Sequence, residues 1–148
     1  MDETLEVRPS RNGMGTFAKT AIPQGAIVWD WSDCKTYTRD QIPVPYGKDE
    51  YLQVAENLYV GPDERPDDPG DFINHSCDPN CAIRVAYRTI GGVSGWVIML
   101  VALRDIAVGE ELTYDYMATM YNDSWEIPCN CGSPQCRGMI SEQNRIKF

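Results

Sequence analysis

Three sets of side chains in this 148-residue chain could do chemistry. Cys129, Cys131 and Cys136 put three thiols within eight residues, close enough to share one tetrahedral zinc ion. A structural zinc site takes four ligands, so the fourth must come from elsewhere. The stretch Phe72-Ile73-Asn74-His75-Ser76-Cys77-Asp78-Pro79-Asn80-Cys81 is polar and turn-prone and carries the only histidine. A sole histidine invites assignment as a general base, but such residues are more often structural, and His75 is not read as a base. The third set, Gly109-Glu110-Glu111-Leu112-Thr113-Tyr114-Asp115-Tyr116, is a turn running into a strand whose two tyrosines, two positions apart, should face the same way.

The elements that must position these groups are short strands. Residues 1–10 read as an arm or an edge strand. Residues 14–22 alternate apolar and polar positions, Pro23-Gln24-Gly25 is a turn, and Ala26 to Trp31 is a β-branched and aromatic strand, which together predict a hairpin. Thr38-Arg39-Asp40-Gln41 has capping-box form, but Pro43 and Pro45 limit it to a short helical turn. Tyr51 to Val60 predicts a hairpin with its tip at Glu56-Asn57, followed by a proline-rich acidic loop, residues 61–70, suited to meet a basic substrate. Cys81–Arg88 and Trp96–Arg104 predict a strand pair joined by residues 89–95, and the apolar run from Trp96 to Leu103 marks the core strand. Frequent turns without a long helical pattern indicate a mainly β domain.

Composition narrows the partners. With 43% hydrophobic residues, a chain of this length buries roughly 70% of its unfolded surface and makes one domain. Thirteen basic against 22 acidic residues give a net charge of -9, the wrong sign for direct nucleic-acid binding. That field attracts basic, lysine-rich ligands and also serves solubility. The acidic N-terminus lacks a leader pattern and no run nears the ~20 apolar residues of a membrane span, so a soluble intracellular protein is expected, in the cytoplasm or at chromatin. Six cysteines in such a compartment point to metal or chemistry rather than disulfides.

Asn74-His75-Ser76-Cys77 with Pro79-Asn80, followed by Gly109 to Tyr116, resembles the two central motifs of SET-domain protein-lysine methyltransferases. Gly13-Met14-Gly15-Thr16-Phe17-Ala18 is similar to that family's early Gly-x-Gly loop. Alone this is an ordinary turn, although Cβ-free positions do let a chain approach a ligand closely. Cys129 to Gly138 resembles its post-SET zinc segment. The resemblance implies a fold of several small sheets with the C-terminal strand threaded under the Asn-His loop as a pseudoknot. It divides the chain into a SET domain, residues 1–124, and a post-SET zinc segment, residues 125–148, in a compact stand-alone form.

The same resemblance implies S-adenosylmethionine as cofactor, held by Gly13, Met14, Gly15, Asn74 and His75. It makes Cys77 the fourth zinc ligand with Cys129, Cys131 and Cys136, Cys81 and Cys34 being the competitors. It implies methyl transfer to a lysine ε-amine of a histone or other basic protein, with Tyr116 orienting the amine and Tyr114 narrowing the channel so that one or two methyl groups are added. In-line displacement asks chiefly for alignment in a dry channel and for a neutral amine. Two positions depart from the family pattern: Asp30-Trp31 replaces Glu-Tyr, which puts Trp31 where a channel tyrosine is expected, and Met139 stands where an aromatic closes the channel. The alternatives are a degenerate SET module that only binds a partner or the cofactor, and an enzyme acting on a small-molecule or peptide amine.

Overall fold

The computed structural model describes residues 3–11, 13–42, 51–61, 68–120 and 126–141. Its strands, in chain order, are β1 (Leu5–Ser10), β2 (Gly13–Ala18), β3 (Ile27–Asp30), β4 (Thr36–Tyr37), β5 (Leu52–Ala55), β6 (Leu58–Val60), β7 (Asn74–His75), β8 (Cys81–Ile90), β9 (Val93–Ala102), β10 (Thr113–Tyr114), β11 (Ile127–Pro128) and β12 (Met139–Ile140). Among the described residues they form small sheets: β1-β2, β4-β6-β5, β3-β9-β8, β7-β10 and β11-β12. This is the mainly β architecture expected, with only single 3-10 turns at Arg39–Gln41, Pro69–Phe72 and Tyr116–Thr119.

The largest sheet carries the core. On β8 and β9, Ile83 pairs with Leu100 and Val85 with Ile98; Ile98 and Leu100 are fully buried among Val28, Trp31, Ile73, Leu112 and Tyr114. The connection is tighter than residues 89–95: the strands run on to Ile90 and Val93. Gly91 and Gly92 both have positive φ, 61° and 82°, the backbone of a two-residue type I′ turn that matches strand twist. The Glu56-Asn57 tip is as expected, with Asn57 at φ 53°. Of the acidic loop, residues 62–67 lie outside the described residues, as do Pro43 and Pro45 and the expected domain boundary at 124.

The predicted hairpin of residues 14–22 with Ala26–Trp31 does not form. β2 pairs instead with β1, in register from Leu5↔Ala18 to Ser10↔Gly13, while β3 pairs with β9. The Pro23-Gln24-Gly25 turn is captured from outside: the Gly25 N–H donates to the Ala102 carbonyl at 2.8 Å and the Gln24 N–H to Asp105 Oδ1 at 2.8 Å. Ile22 bridges Ile106 at the same time. Long-range partners thus turn the chain away from a local pairing.

Residues 109–116 are held from two sides. Against β2, the Leu112 N–H donates to the Thr16 carbonyl (2.8 Å) and the Ala18 N–H to the Glu110 carbonyl (2.9 Å). Against the histidine loop, β10 lies parallel to β7 with Thr113↔Asn74 and Tyr114↔His75, the juxtaposition the pseudoknot requires. Asn80, 2% exposed, locks this crossing. Its Nδ2 donates to the Glu111 carbonyl and to Glu110 Oε2, both at 2.8 Å, and its Oδ1 accepts from the Thr113 N–H at 2.9 Å.

Asn80→Ala strips the partly buried Glu111 carbonyl and Thr113 N–H of these partners, at about 1–3 kcal/mol each. The variant should lose about 2–4 kcal/mol of unfolding free energy in urea denaturation, and a loss below about 0.5 kcal/mol would contradict the role given to this side chain.

Candidate active site and cysteine cluster

Because β10 ends at Tyr114, the two tyrosines do not share a strand; Tyr116 opens the 3-10 turn Tyr116–Thr119. They still meet, with ring centroids 4.7 Å apart. The turn is set by Asp115, whose Oδ1 accepts from the Met117 N–H at 3.0 Å, and by the Tyr116 N–H, which donates to His75 Nδ1 at 3.0 Å. The Tyr116 hydroxyl donates to the Ile73 carbonyl at 2.5 Å. Tyr114 is buried, and desolvation, reinforced by Tyr116, pushes its phenol well above the usual range. It is neutral at any physiological pH.

His75 is 6% exposed and its ring lies 5.3 Å from that of Tyr116. Burial lowers its pKa to about 4, with the Asp115 carboxylate acting in the opposite direction and Arg137 adding to the depression. Since Nδ1 accepts from Tyr116, the neutral ring carries its proton on Nε2, which faces Cys77 Sγ at 3.3 Å. Both nitrogens are engaged in holding other groups, a structural role rather than that of a base.

Gly13, Met14 and Gly15 lie on β2 facing this loop. Asn74 Nδ2 donates to the Met14 carbonyl at 3.0 Å and to Glu111 Oε2 at 2.8 Å, and Ser10 Oγ donates to the same carboxylate. Gly13 needs its positive φ of 87°. Gly15 is glycine because a Cβ there would collide with the Glu111 carboxylate and Ser10; its packing partner is a side chain of the protein itself. A small open cleft of about 130 Å³ lies between Asn74, His75 and Tyr116 on the body and Ile127–Cys131 with Ile140 on the tail.

Cys77, Cys129, Cys131 and Cys136 converge, their sulfurs all within 4.8 Å of one another. The Cys77 and Cys129 sulfurs are 3.9 Å apart, against about 3.8 Å for the edge of a tetrahedron with ~2.3 Å zinc–sulfur bonds. Four thiols in this arrangement fit zinc. Burial raises the Cys131 thiol, but N–H groups of Cys77 and Ser133 outweigh it and hold the pKa at about 6. The competitors lie in the main core: Cys81 is fully buried, its thiol pushed up to about 12 chiefly by burial, and Cys34 packs against the same cluster. The tail also docks by burial, since Ile140 is buried with Met117, Met120 and Cys77, flanked by Ile127.

Four contributors were not read from sequence: Asn80, Glu111, Asp115 and Arg137. Arg137 reaches Asp115 Oδ2 at 2.8 Å and its N–H groups face Cys77 Sγ at 3.4 and 3.5 Å. Burial opposes its charge, but Cys77 and Asp115 more than compensate and raise its pKa. Trp31 is buried in the cluster that holds Tyr114, and Met139 sits half-buried on β12 opposite Pro128. No helix of the described residues is long and apolar enough to cross a membrane.

Comparison with known proteins agrees with this arrangement. The family model described as SET domain matches residues 13–117. The chain is 34% identical over 140 residues to "Histone-lysine N-methyltransferase 2B" of Homo sapiens, covering 90% of this chain and 5% of that protein. It is 41% identical over 150 residues to "Histone-lysine N-methyltransferase, H3 lysine-4 specific" of Schizosaccharomyces pombe, covering 93% of this chain and 15% of that protein. It is 42% identical over 137 residues to "Histone-lysine N-methyltransferase trithorax" of Drosophila virilis, covering 88% and 3%. The chain therefore spans only a small part of the length of each of these relatives. With the family model covering well over half of its residues, the chain belongs to the SET-domain family.

Proposed function

We propose that this chain is an S-adenosylmethionine-dependent methyltransferase for a lysine ε-amine in a histone or other basic protein, adding one or two methyl groups. The observation that carries the reading is the convergence of the Asn74-His75 cleft with the Tyr114–Tyr116 ring pair. The printed names of the relatives support the substrate class. In this reading residues 1–124 form the catalytic unit and residues 125–148 the zinc segment that completes one wall of the cleft.

When bound, S-adenosylmethionine supplies an electrophilic methyl group on a cationic sulfonium. Asn74 and His75, which line the cleft, would hold it together with the main chain of Gly13, Met14 and Gly15. Tyr116 spends its hydroxyl proton on the Ile73 carbonyl, which leaves the phenol oxygen as an acceptor to orient an incoming amine. Tyr114, neutral and buried beside it, narrows the space around the nitrogen. The substrate lysine, with a free pKa of ~10.4, would be desolvated beside a cation; both effects lower that value and favour release of the proton to water. The acidic charge of the chain attracts a basic substrate. Zinc, held by Cys77, Cys129, Cys131 and Cys136, would clamp the tail against the body, contributing on the order of 10 kcal/mol as in small zinc peptides.

Incubation of the purified chain with labelled S-adenosylmethionine, histones and cell lysate should label a basic protein. Tyr116→Phe should cut the rate by about 100-fold, as misplacement of a reacting group does. Labelling at an undiminished rate in this variant would count against the assignment, and none with wild type would favour a binding module. In the same assay, mass spectrometry of Tyr114→Phe should show a shift toward more highly methylated lysine; an unchanged product pattern would remove Tyr114 from control of methylation degree. Metal analysis should find one zinc per chain, lost in Cys77→Ser and Cys136→Ser and kept in Cys34→Ser. An unchanged zinc content in the first two would refute the clamp.

A further inference from the structure

We infer that Arg137 is a positioning residue that couples the cysteine cluster to the catalytic turn through an ion pair with Asp115. This deepens the proposed function and rests on it. Arg137 follows the last cysteine of the cluster, and its side chain is only 17% exposed; that of Asp115 is 16% exposed. From this one position the main-chain N–H and Nε both face Cys77 Sγ, while Nη2 reaches Asp115 Oδ2 at 2.8 Å. The other oxygen of Asp115 caps the turn Tyr116–Thr119 through the Met117 N–H. The two oxygens of one carboxylate therefore hold the tail and the tyrosine turn together.

The geometry gives Asp115 a fixed orientation only while both sides are engaged. A carboxylate tied at one oxygen can swing about its side-chain torsions; tied at both, it holds the Met117 N–H, and with it Tyr116, in one place. The fork of a guanidinium is suited to this because one nitrogen can address the sulfur while another addresses the carboxylate, which an ammonium on a flexible stem does less well. Tail docking thereby becomes a condition for a correctly aimed Tyr116 hydroxyl, beyond its role as a wall of the cleft.

The test compares Arg137→Met, Arg137→Lys, Asp115→Asn and the double variant Arg137→Met/Asp115→Asn in the full chain. Asparagine keeps an oxygen to cap Met117, so Asp115→Asn isolates the ion pair from the cap. Both Arg137→Met and Asp115→Asn should lower kcat between about 10- and 100-fold, the scale of sub-ångström to ångström misplacement, with KM for donor and substrate little changed and zinc retained at one per chain. Arg137→Lys should recover part of the loss, and the double variant should be no worse than the poorer single one. Hydrogen exchange should show the Tyr116 and Met117 amides less protected in Arg137→Met. Unchanged kcat and unchanged protection would overturn the coupling, as would multiplied losses in the double variant or loss of zinc in Arg137→Met, which would make the residue merely structural. A wild-type chain without methyl transfer sinks the enzyme reading alone, and hydrogen exchange then decides the coupling.

Discussion

One buried asparagine holds the crossing on which the site depends. Two parallel residue pairs between β7 and β10 are too few to fix a register by themselves, since short parallel pairings are weak and their connection here is long. Asn80 supplies what the pairing lacks: it accepts from Thr113 and donates to the Glu111 carbonyl and the Glu110 carboxylate. Partial burial raises the Glu110 carboxyl, yet the hydrogen bonds from Asn80 and Arg104 prevail and hold it below its usual range. The Thr113 N–H and the Glu111 carbonyl would be costly to leave unpaired in this partly buried crossing, so the segment bearing the tyrosines has one register that satisfies them.

From that crossing the rest of the site follows by short steps. Placing Tyr114 opposite His75 puts Asp115 and Tyr116 beside the ring, where His75 Nδ1 takes the Tyr116 N–H and Nε2 addresses Cys77. Cys77 in turn faces Cys129 and Arg137. On the other flank Asn74 ties the Met14 carbonyl and Glu111 together, so the β1-β2 hairpin is joined to the same point. The cleft lies where the histidine loop, Tyr116 and the tail come together, and no long helix is needed to build it.

Much of this was legible in the sequence, and the misses have a common cause. Turn chemistry and apolar runs located β8, β9 and the Glu56-Asn57 tip because those depend on neighbours in the chain. The pairing of β2 with β1 rather than β3 depended on Ala102, Asp105 and Ile106, some 80 residues away. Alternation identifies a strand but not its partner. The motifs named the cysteines, the tyrosines and the histidine loop, and Glu111 and Arg137 lay inside those motifs without a role; only the fold shows that they face Asn74 and Asp115. Gly15 is a related case: its close neighbour is Glu111, a residue nearly a hundred positions later. Likewise three thiols at close spacing indicated metal, but Cys77 could be preferred over Cys34 and Cys81 on geometry only once the sulfurs were seen together.

The central claim is that the histidine loop and the late tyrosines build one cleft-and-channel site. A crystal structure of the chain with S-adenosylhomocysteine and a lysine peptide tests it most directly. The account predicts the adenosyl group between Asn74-His75 and Ile127–Cys131, with the sulfur directed toward the Tyr116 hydroxyl and the lysine nitrogen arriving from the opposite side. A ligand bound elsewhere, or a lysine remote from Tyr116, would contradict it.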